Sequence, residues 1–212
     1  MQMQSGDVVA TTRPFGVILA GGLASRMGGG DKALIELAGM PMLGHVIARL
    51  APQVAGLALN ANGDPGRFAA FGLKVLADPV PGHPGPLAGV LAAMDCAARE
   101  GARHIVTAAA DTPFLPTDLV IRLMAGAQAA AAPIALAATA SGLHPTFGLW
   151  PVSLRDDLRQ ALGAGTRKVG AWALDQGAVR VPFDTTLLDP FFNVNTPQDL
   201  AEARARLTGD TT

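Results

Sequence analysis

Residues 17–20, Val-Ile-Leu-Ala, form an apolar run with no polar side chain, and the run empties at once into a loop holding Gly21, Gly22, Gly28, Gly29 and Gly30 with Arg26, Asp31 and Lys32. A strand that lacks polar alternation has to be covered on both faces, which calls for helices above and below a parallel sheet. The loop adds chemistry to that constraint. Glycines let main-chain N–H groups approach a ligand without interference from a Cβ, so the loop can wrap phosphate oxygens while Arg26 and Lys32 supply positive charge. A solvent-exposed turn without function is the competing reading, because glycine-rich loops are weakly specific. Two better-known phosphate loops are excluded: Lys32 is followed by Ala33 where a Walker loop needs Ser or Thr, and the three glycines of a dinucleotide fold do not occur at their spacing.

The following chain supports the sheet. After an apolar segment at 33–37, Pro41 opens a helix with Leu43, Val46, Ile47 and Leu50 on one face. Strands are expected at 56–59 and 73–77, a short helix at 67–71, a helix at 87–100 stopped by Gly101, and a fourth strand at 104–110. Each strand ends in a polar or glycine position: Leu19 to Gly22, Asn60, Asp78 and Asp111. Their convergence on the carboxyl edge of a doubly wound sheet, where open α/β sheets bind ligands, says more than any one of them, since a lone Asp before Pro is more often a turn residue or cap. Beyond residue 140 the alternation lapses. Strands are expected near 134–138 and at 146–150, helices at 153–162 and 166–175, and a strand at 179–183 open to an antiparallel sense. Thr196 is placed as the N-cap of a last helix, with Pro197 first and Asp199 third.

Composition narrows the partners. At 212 residues the chain suits one domain over 16–208, between a leader at 1–15 and a tail at 209–212. Net charge of −1 with 16% charged residues argues against a nucleic-acid polymer. Neither a signal sequence nor an apolar run of about 18 residues is present, so no membrane is expected and the cytoplasm is the default. Cys96, the single cysteine, reads as a small core residue, and His45 as structural. His83, in the proline-rich loop at 79–86, reads as a polar lining residue.

The stretch Leu19-Ala20-Gly21-Gly22, Arg26-Met27-Gly28-Gly29, Asp31-Lys32 closely resembles the signature of the molybdenum cofactor guanylyltransferases, with every fixed letter matched. Further similar blocks stand at Asn60-Ala61-Asn62, Asp78, Gly85-Pro86-Leu87-Ala88-Gly89, Asp111-Thr112-Pro113, His144-Pro145-Thr146, Arg167-Lys168-Val169 and 192–197, so that 16–205 is covered. The resemblance implies a three-layer, mostly parallel, glycosyltransferase-A-like nucleotide-binding fold with some antiparallel or mixed strands in the C-terminal part. It also implies transfer of GMP from GTP to the terminal phosphate of molybdopterin, metal-free or molybdenum-loaded, with release of pyrophosphate. Nucleotide would be held by Leu19, Ala20, Gly21, Gly22, Lys32, Asn60, Asp78, Gly85, Gly89 and Asp111. Arg26, Lys32 and Asp111 would act in catalysis, with Asp111 the ligand of Mg²⁺, since a hard cation takes one or two carboxylates plus phosphate oxygens. Arg167, Lys168, Asn193 and Asn195 would receive the acceptor, and molybdoenzyme apoproteins or their chaperones are implied partners. A cytidylyltransferase on the same acceptor, a sugar-phosphate nucleotidylyltransferase and a non-catalytic GTP-binding delivery module are the alternatives. Gly21 favours the guanylyl reading, because cytidylyl relatives tend to carry Ala there.

Overall fold

The computed structural model describes residues 13–21, 30–80, 85–186 and 188–208. In chain order the elements are β1 (Phe15–Leu19), β2 (Glu36–Leu37), β3 (Met40–Pro41), α1 (Met42–Leu50), β4 (Gly56–Asn60), β5 (Lys74–Leu76), α2 (Pro86–Arg99) and β6 (His104–Ala109). They continue as α3 (Leu119–Ala129), β7 (Ala135–Thr139), β8 (Gly142–Pro151), α4 (Arg155–Gly163), α5 (Val169–Asp175), β9 (Val179–Pro182) and α6 (Pro197–Thr208). Short 3₁₀ turns occupy Lys32–Leu34 and Pro65–Phe71.

β1 is central in a seven-stranded sheet of order β5-β4-β1-β6-β8-β7-β9. It pairs in parallel with β4 and β6, and the register sets Leu19 level with Asn60 on one side and Ala109 on the other. The chain runs outward from β1 through β4 to β5, then returns to place β6 on the opposite flank. That reversal opens a crevice at the carboxyl ends of β1 and β6.

The apolar run of β1 is covered as its composition requires. Val17 packs into the layer of α2, α4 and α5 with Leu87, Val90 and Trp172, whereas Ile18 packs into the layer of α1 and α3 with Leu43, Val46 and Leu123. Both side chains are fully buried, each worth about 1.5–3 kcal/mol relative to exposure. Thr107 on β6 is a buried polar group whose Oγ1 accepts a 2.9 Å bond from Trp150 Nε1 on β8, so its burial leaves no unmet acceptor. Cys96 is buried in the α2 layer, and His45 Nε2 lies 2.7 Å from the Leu37 carbonyl, both as structural residues.

The C-terminal part holds an antiparallel strand, as the resemblance implies, but not at 179–183. β9 runs parallel to β7, and the antiparallel strand is β8, which pairs antiparallel with both β6 and β7. A tight turn at residues 140–141 forces β8 back along β7, and α4 and α5 then join the end of β8 to the start of β9 at the same edge of the sheet, so that β9 reverses β8 and runs in the sense of β7. β8 also spans ten residues, longer than the five expected. Its register against β7 jumps from the Leu136–Gly148 pair to the Ala137–His144 pair, leaving 145–147 as a bulge that accommodates Pro145, which has no N–H to give. The helix expected from 166 begins at Val169, because the Thr166 N–H closes α4 on the Ala161 carbonyl at 2.9 Å.

The start of α6 is a reciprocal capping box. Thr196 Oγ1 accepts from the Asp199 N–H at 3.1 Å, while Asp199 Oδ2 accepts from the N–H groups of Asn195 and Thr196, each at 2.8 Å. The Asn195 N–H, joined by Thr196, holds the Asp199 carboxyl below the usual carboxylate range. A pKa depressed by folding contributes stability above the unfolded value of about 3.9, and that contribution disappears as pH falls through the folded value. Thr196→Ala should therefore cost about 1 kcal/mol in urea unfolding at neutral pH. Asp199→Asn should flatten the loss of stability on acidification below about pH 4, compared with wild type in the same titration.

Candidate nucleotide-binding site

At the carboxyl edge of β1, β4, β5 and β6 lies a cavity of ≈ 360 Å³. The sheet's hydrogen bonding runs on into its floor: Ala20 N–H reaches Asn60 O at 2.8 Å, Ala110 N–H reaches Leu19 O at 3.0 Å, and Ala61 N–H reaches Leu76 O at 3.0 Å. Backbone precision is thereby carried past the strand ends to the residues that line the space. Leu19, Ala20 and Gly21 form one wall, Asn60 and Asp78 a second, and Lys32, Asp111 and Asn193 a third.

Lys32 is directed inward by its 3₁₀ turn and is only 7% exposed. Its Nζ donates to Asp111 Oδ2 at 2.5 Å and to Asn195 Oδ1. An ammonium carries three donors, so one remains for a ligand oxygen. Asn193 and Asn195 reach this corner because the N–H of Val194, a fully buried residue between them, is bonded to the Asp111 carbonyl at 3.0 Å. Asn193 Oδ1 in turn accepts from the buried Thr112 hydroxyl at 2.5 Å.

The opposite corner is built on Asp78. Asn60 Nδ2 donates to Asp78 Oδ1 at 2.9 Å and also to Leu76 O at 3.0 Å, while Asn62 Nδ2 donates to Asp78 Oδ2 at 2.7 Å. The Asp78 N–H returns a 2.9 Å bond to Asn62 Oδ1. The carboxylate is thus oriented by two amides before any ligand arrives, with lone pairs left over for hydroxyl or N–H donors. The N-terminus of α2 closes the cavity through Gly85 and Pro86. Gly85, at φ +150°, has a conformation open essentially to glycine, and the helix dipole behind it favours an anionic ligand.

Several expected site residues stand elsewhere. Gly89 does not line the cavity; it is buried in α2, where a Cβ would lie 2.3 Å from Asn60 Oδ1 and 2.7 Å from Leu19 Cδ2. There it lets α2 pack closely against Asn60 and Leu19. Arg167 and Lys168 occupy an exposed turn ahead of α5 and are not among the cavity residues. Asn195 reaches the site through Lys32 and not as a wall. Gly22, Arg26 and His83 lie outside the described residues, as do most of the leader and the tail.

Asn62 and Thr146 line the cavity although sequence reasoning did not assign them to it. Asn62 had a signal, standing two residues past the end of β4. Thr146 had less: it enters from the bulged first half of the antiparallel β8, which lies at the same edge where the parallel strands finish. Beside it, burial pulls the His144 pKa below its ordinary value against the opposing pull of Asp189. The imidazole lies 2.8 Å from Thr139 Oγ1 and stacks on Phe191.

The donor set discriminates between kinds of metal. Among the described residues no group of three His, Cys, Asp or Glu side chains could cage an ion. Asp111, its side chain 26% exposed, is one carboxylate at the cavity wall. That suits a hard cation which takes most of its ligands from phosphate and water, as Mg²⁺ does.

Residues 16–179 match the MobA-like NTP transferase domain. The chain belongs to that family. It is 54% identical over 196 residues to a molybdenum cofactor guanylyltransferase of Bradyrhizobium sp. (strain ORS 278), covering 91% of this chain and 92% of that one. A protein of the same name from Rhodopseudomonas palustris (strain BisB5) is 56% identical over 190 residues, 88% of this chain and 90% of its own. In three dimensions the chain resembles the molybdopterin-guanine dinucleotide biosynthesis protein A of Archaeoglobus fulgidus, with a TM-score of 0.73, 23% identity, and coverage of 92% of this chain and 99% of that one. At that identity the likeness speaks for the fold. The central sheet, the carboxyl-edge cavity and the strand-to-glycine junction at Leu19–Gly21 are therefore features of a MobA-like transferase domain.

The packing at Gly89 is directly testable. Gly89→Ala should destabilise the protein by about 1–3 kcal/mol as an overpacking substitution. Urea unfolding measures that cost, and a nucleotide affinity that falls together with stability would report the displaced Asn60.

Proposed function

We propose that this protein transfers GMP from GTP to the terminal phosphate of molybdopterin, releasing pyrophosphate and forming the guanine dinucleotide cofactor. The observation that carries the reading is the pairing of Lys32 with Asp111 at one corner of a cavity whose other corner is the amide-held Asp78. The names of the relatives support guanylyl transfer over the cytidylyl and non-catalytic alternatives.

On this reading the nucleoside lies toward Asp78 and Asn60, where the carboxylate accepts hydrogen bonds from guanine or ribose. The triphosphate lies toward Lys32, whose remaining donor meets a phosphate oxygen. Because Asp111 and Asn195 already hold the ammonium, little side-chain freedom is lost when the phosphate arrives. The acceptor phosphate approaches from the side of Asn193 and Asn195. Its oxygen forms a bond to the α phosphorus as the bond from that phosphorus to the β-bridging oxygen breaks, and the electron pair leaves with pyrophosphate. An ionised phosphate is its own nucleophile, so the chain needs no general base. Its tasks are alignment and stabilisation of the leaving charge. A Mg²⁺ ion held by Asp111 and the triphosphate would supply Lewis-acid neutralisation of that charge. Arg26 is assigned a second positive charge at the triphosphate, and Arg167 and Lys168 an outer approach for the acceptor. No helix among the described residues is long and apolar enough to cross a membrane. We place the activity in the cytoplasm, with molybdoenzyme apoproteins or their chaperones as recipients of the product.

Turnover of GTP, CTP, ATP and UTP with molybdopterin as acceptor, followed through pyrophosphate and the dinucleotide, tests the reaction. Asp111→Asn should remove most turnover while leaving nucleotide affinity within a few-fold, the pattern of an interaction made chiefly in the transition state. Lys32→Ala should slow transfer by about 10² to 10³, the scale of one preorganised electrostatic donor. Unchanged rates in both variants would remove the pair from the chemistry.

Base choice is a separate expectation. A pocket that hydrogen-bonds particular base edges should give a kcat/KM for GTP at least about a hundredfold above that for CTP. Gly21 offers a probe, because it lines the cavity and, among the described residues, a Cβ there would meet no atom within 4 Å. Gly21→Ala should leave thermal stability unchanged and narrow the GTP:CTP ratio. A wild type that prefers CTP would move the protein to cytidylyl transfer.

A further inference from the structure

We infer that Arg67, which does not line the cavity, is a positioning residue that locks its phosphate corner to its nucleoside corner. The inference rests on the reading of the cavity as a nucleoside triphosphate site. Arg67 lies in the 3₁₀ turn Pro65–Phe71, and its side chain turns back toward the site. Nε stands 2.6 Å from Asp31 Oδ2, and Nη2 donates to the Asn62 carbonyl at 2.5 Å. The guanidinium lies 4.8 Å over the ring of Phe68, itself 1% exposed and anchored in the core. Gly63, at φ +85°, leaves room for it, since a Cβ there would fall 2.8 Å from Nη1.

Each partner leads directly to a site corner. Asp31 precedes Lys32, and its carbonyl accepts the Leu34 N–H at 3.0 Å to set the turn from which Lys32 reaches Asp111. Asn62 holds Asp78 through both atoms of its side-chain amide. Asp31 and Asn62 belong to separate loops, and the guanidinium joins them by charge at Asp31, where the Nε–H is not aligned for a hydrogen bond, and by a directed hydrogen bond at the Asn62 carbonyl. The ion pair is also sheltered, with side-chain exposures of 28% and 16%. The 3₁₀ turn has its own supports, the Asp64 cap on the Gly66 N–H at 2.8 Å and the buried Phe68 ring. Loss of Arg67 should therefore loosen the alignment of the two corners while the turn stays folded.

The test compares wild type, Arg67→Ala, Arg67→Lys, Asp31→Ala and the Arg67→Ala/Asp31→Ala double variant, as full chains, in GTP kinetics, calorimetric nucleotide binding and thermal unfolding. Arg67→Ala should raise the KM for GTP about tenfold and lower kcat/KM by about 10- to 100-fold, the scale of a small misplacement of reacting groups, with Tm within a few degrees of wild type. Asp31→Ala should give a similar loss, and the double variant should be no worse than the poorer single variant by more than about threefold, because both act through one contact. Arg67→Lys should recover part of the loss by restoring the charge opposite Asp31. Wild-type constants in Arg67→Ala, or losses that multiply fully in the double variant, would overturn the inference. A wild type that binds a nucleoside triphosphate without transferring it would overturn the transfer reading alone, and the effect of Arg67→Ala on that affinity would then decide the role of Arg67. A wild type that binds none of the four nucleotides would overturn both.

Discussion

The structure depends on how the Lys32 ammonium is satisfied. A charge that is only 7% exposed needs a charged or well-oriented polar partner, because burial without one costs several kcal/mol. Two partners come from distant parts of the chain: Asp111 beyond the end of β6, and Asn195 just ahead of α6. Satisfying one side chain therefore fixes three segments relative to one another. The apolar side of the same junction is a small cluster in which Leu37, Met42, Phe114, Val194 and Ala203 exclude water behind the polar contact. The bond from the Val194 N–H to the Asp111 carbonyl adds main-chain rigidity between the two.

How far the fold was legible follows from what each segment has to bury. β1 has no polar residue and could be little else than a strand covered on both faces; the parallel pairing with β4 and β6 followed from the alternation with helices. The senses of the last strands were not legible. An apolar run of four or five residues reads the same in either direction, and only the tight turn before β8 and the two helices before β9 decide which is reversed. The candidate site behaves likewise. Asn60, Asp78 and Asp111 could be found because each follows a parallel strand, and all three do line one cavity. Thr146 escaped that rule because an antiparallel strand brings its beginning, not its end, to the same edge. Gly89 shows a related ambiguity: a glycine inside a motif can serve the ligand or the packing beneath it, and here a Cβ would come within 2.3 Å of Asn60 Oδ1, a packing constraint that the sequence alone does not reveal.

The two corners of the cavity are prepared differently, and the difference bears on what each can bind. Asp78 is held by neutral amides, so its full negative charge remains available to a ligand's hydrogen-bond donors. Asp111 has its charge already offset by Lys32, leaving that corner nearly neutral. A divalent cation arriving alone would meet one compensated carboxylate, which is a weak attraction. Arriving with a triphosphate, the same cation brings its own counter-charge, and Lys32 can turn its remaining donor to the phosphate while Asp111 turns to the metal. On the proposed reading the ion pair would disfavour either ion by itself and favour the two together. That charge balance, set by one lysine and one aspartate 2.5 Å apart, makes metal and nucleotide a joint ligand on the proposed reading.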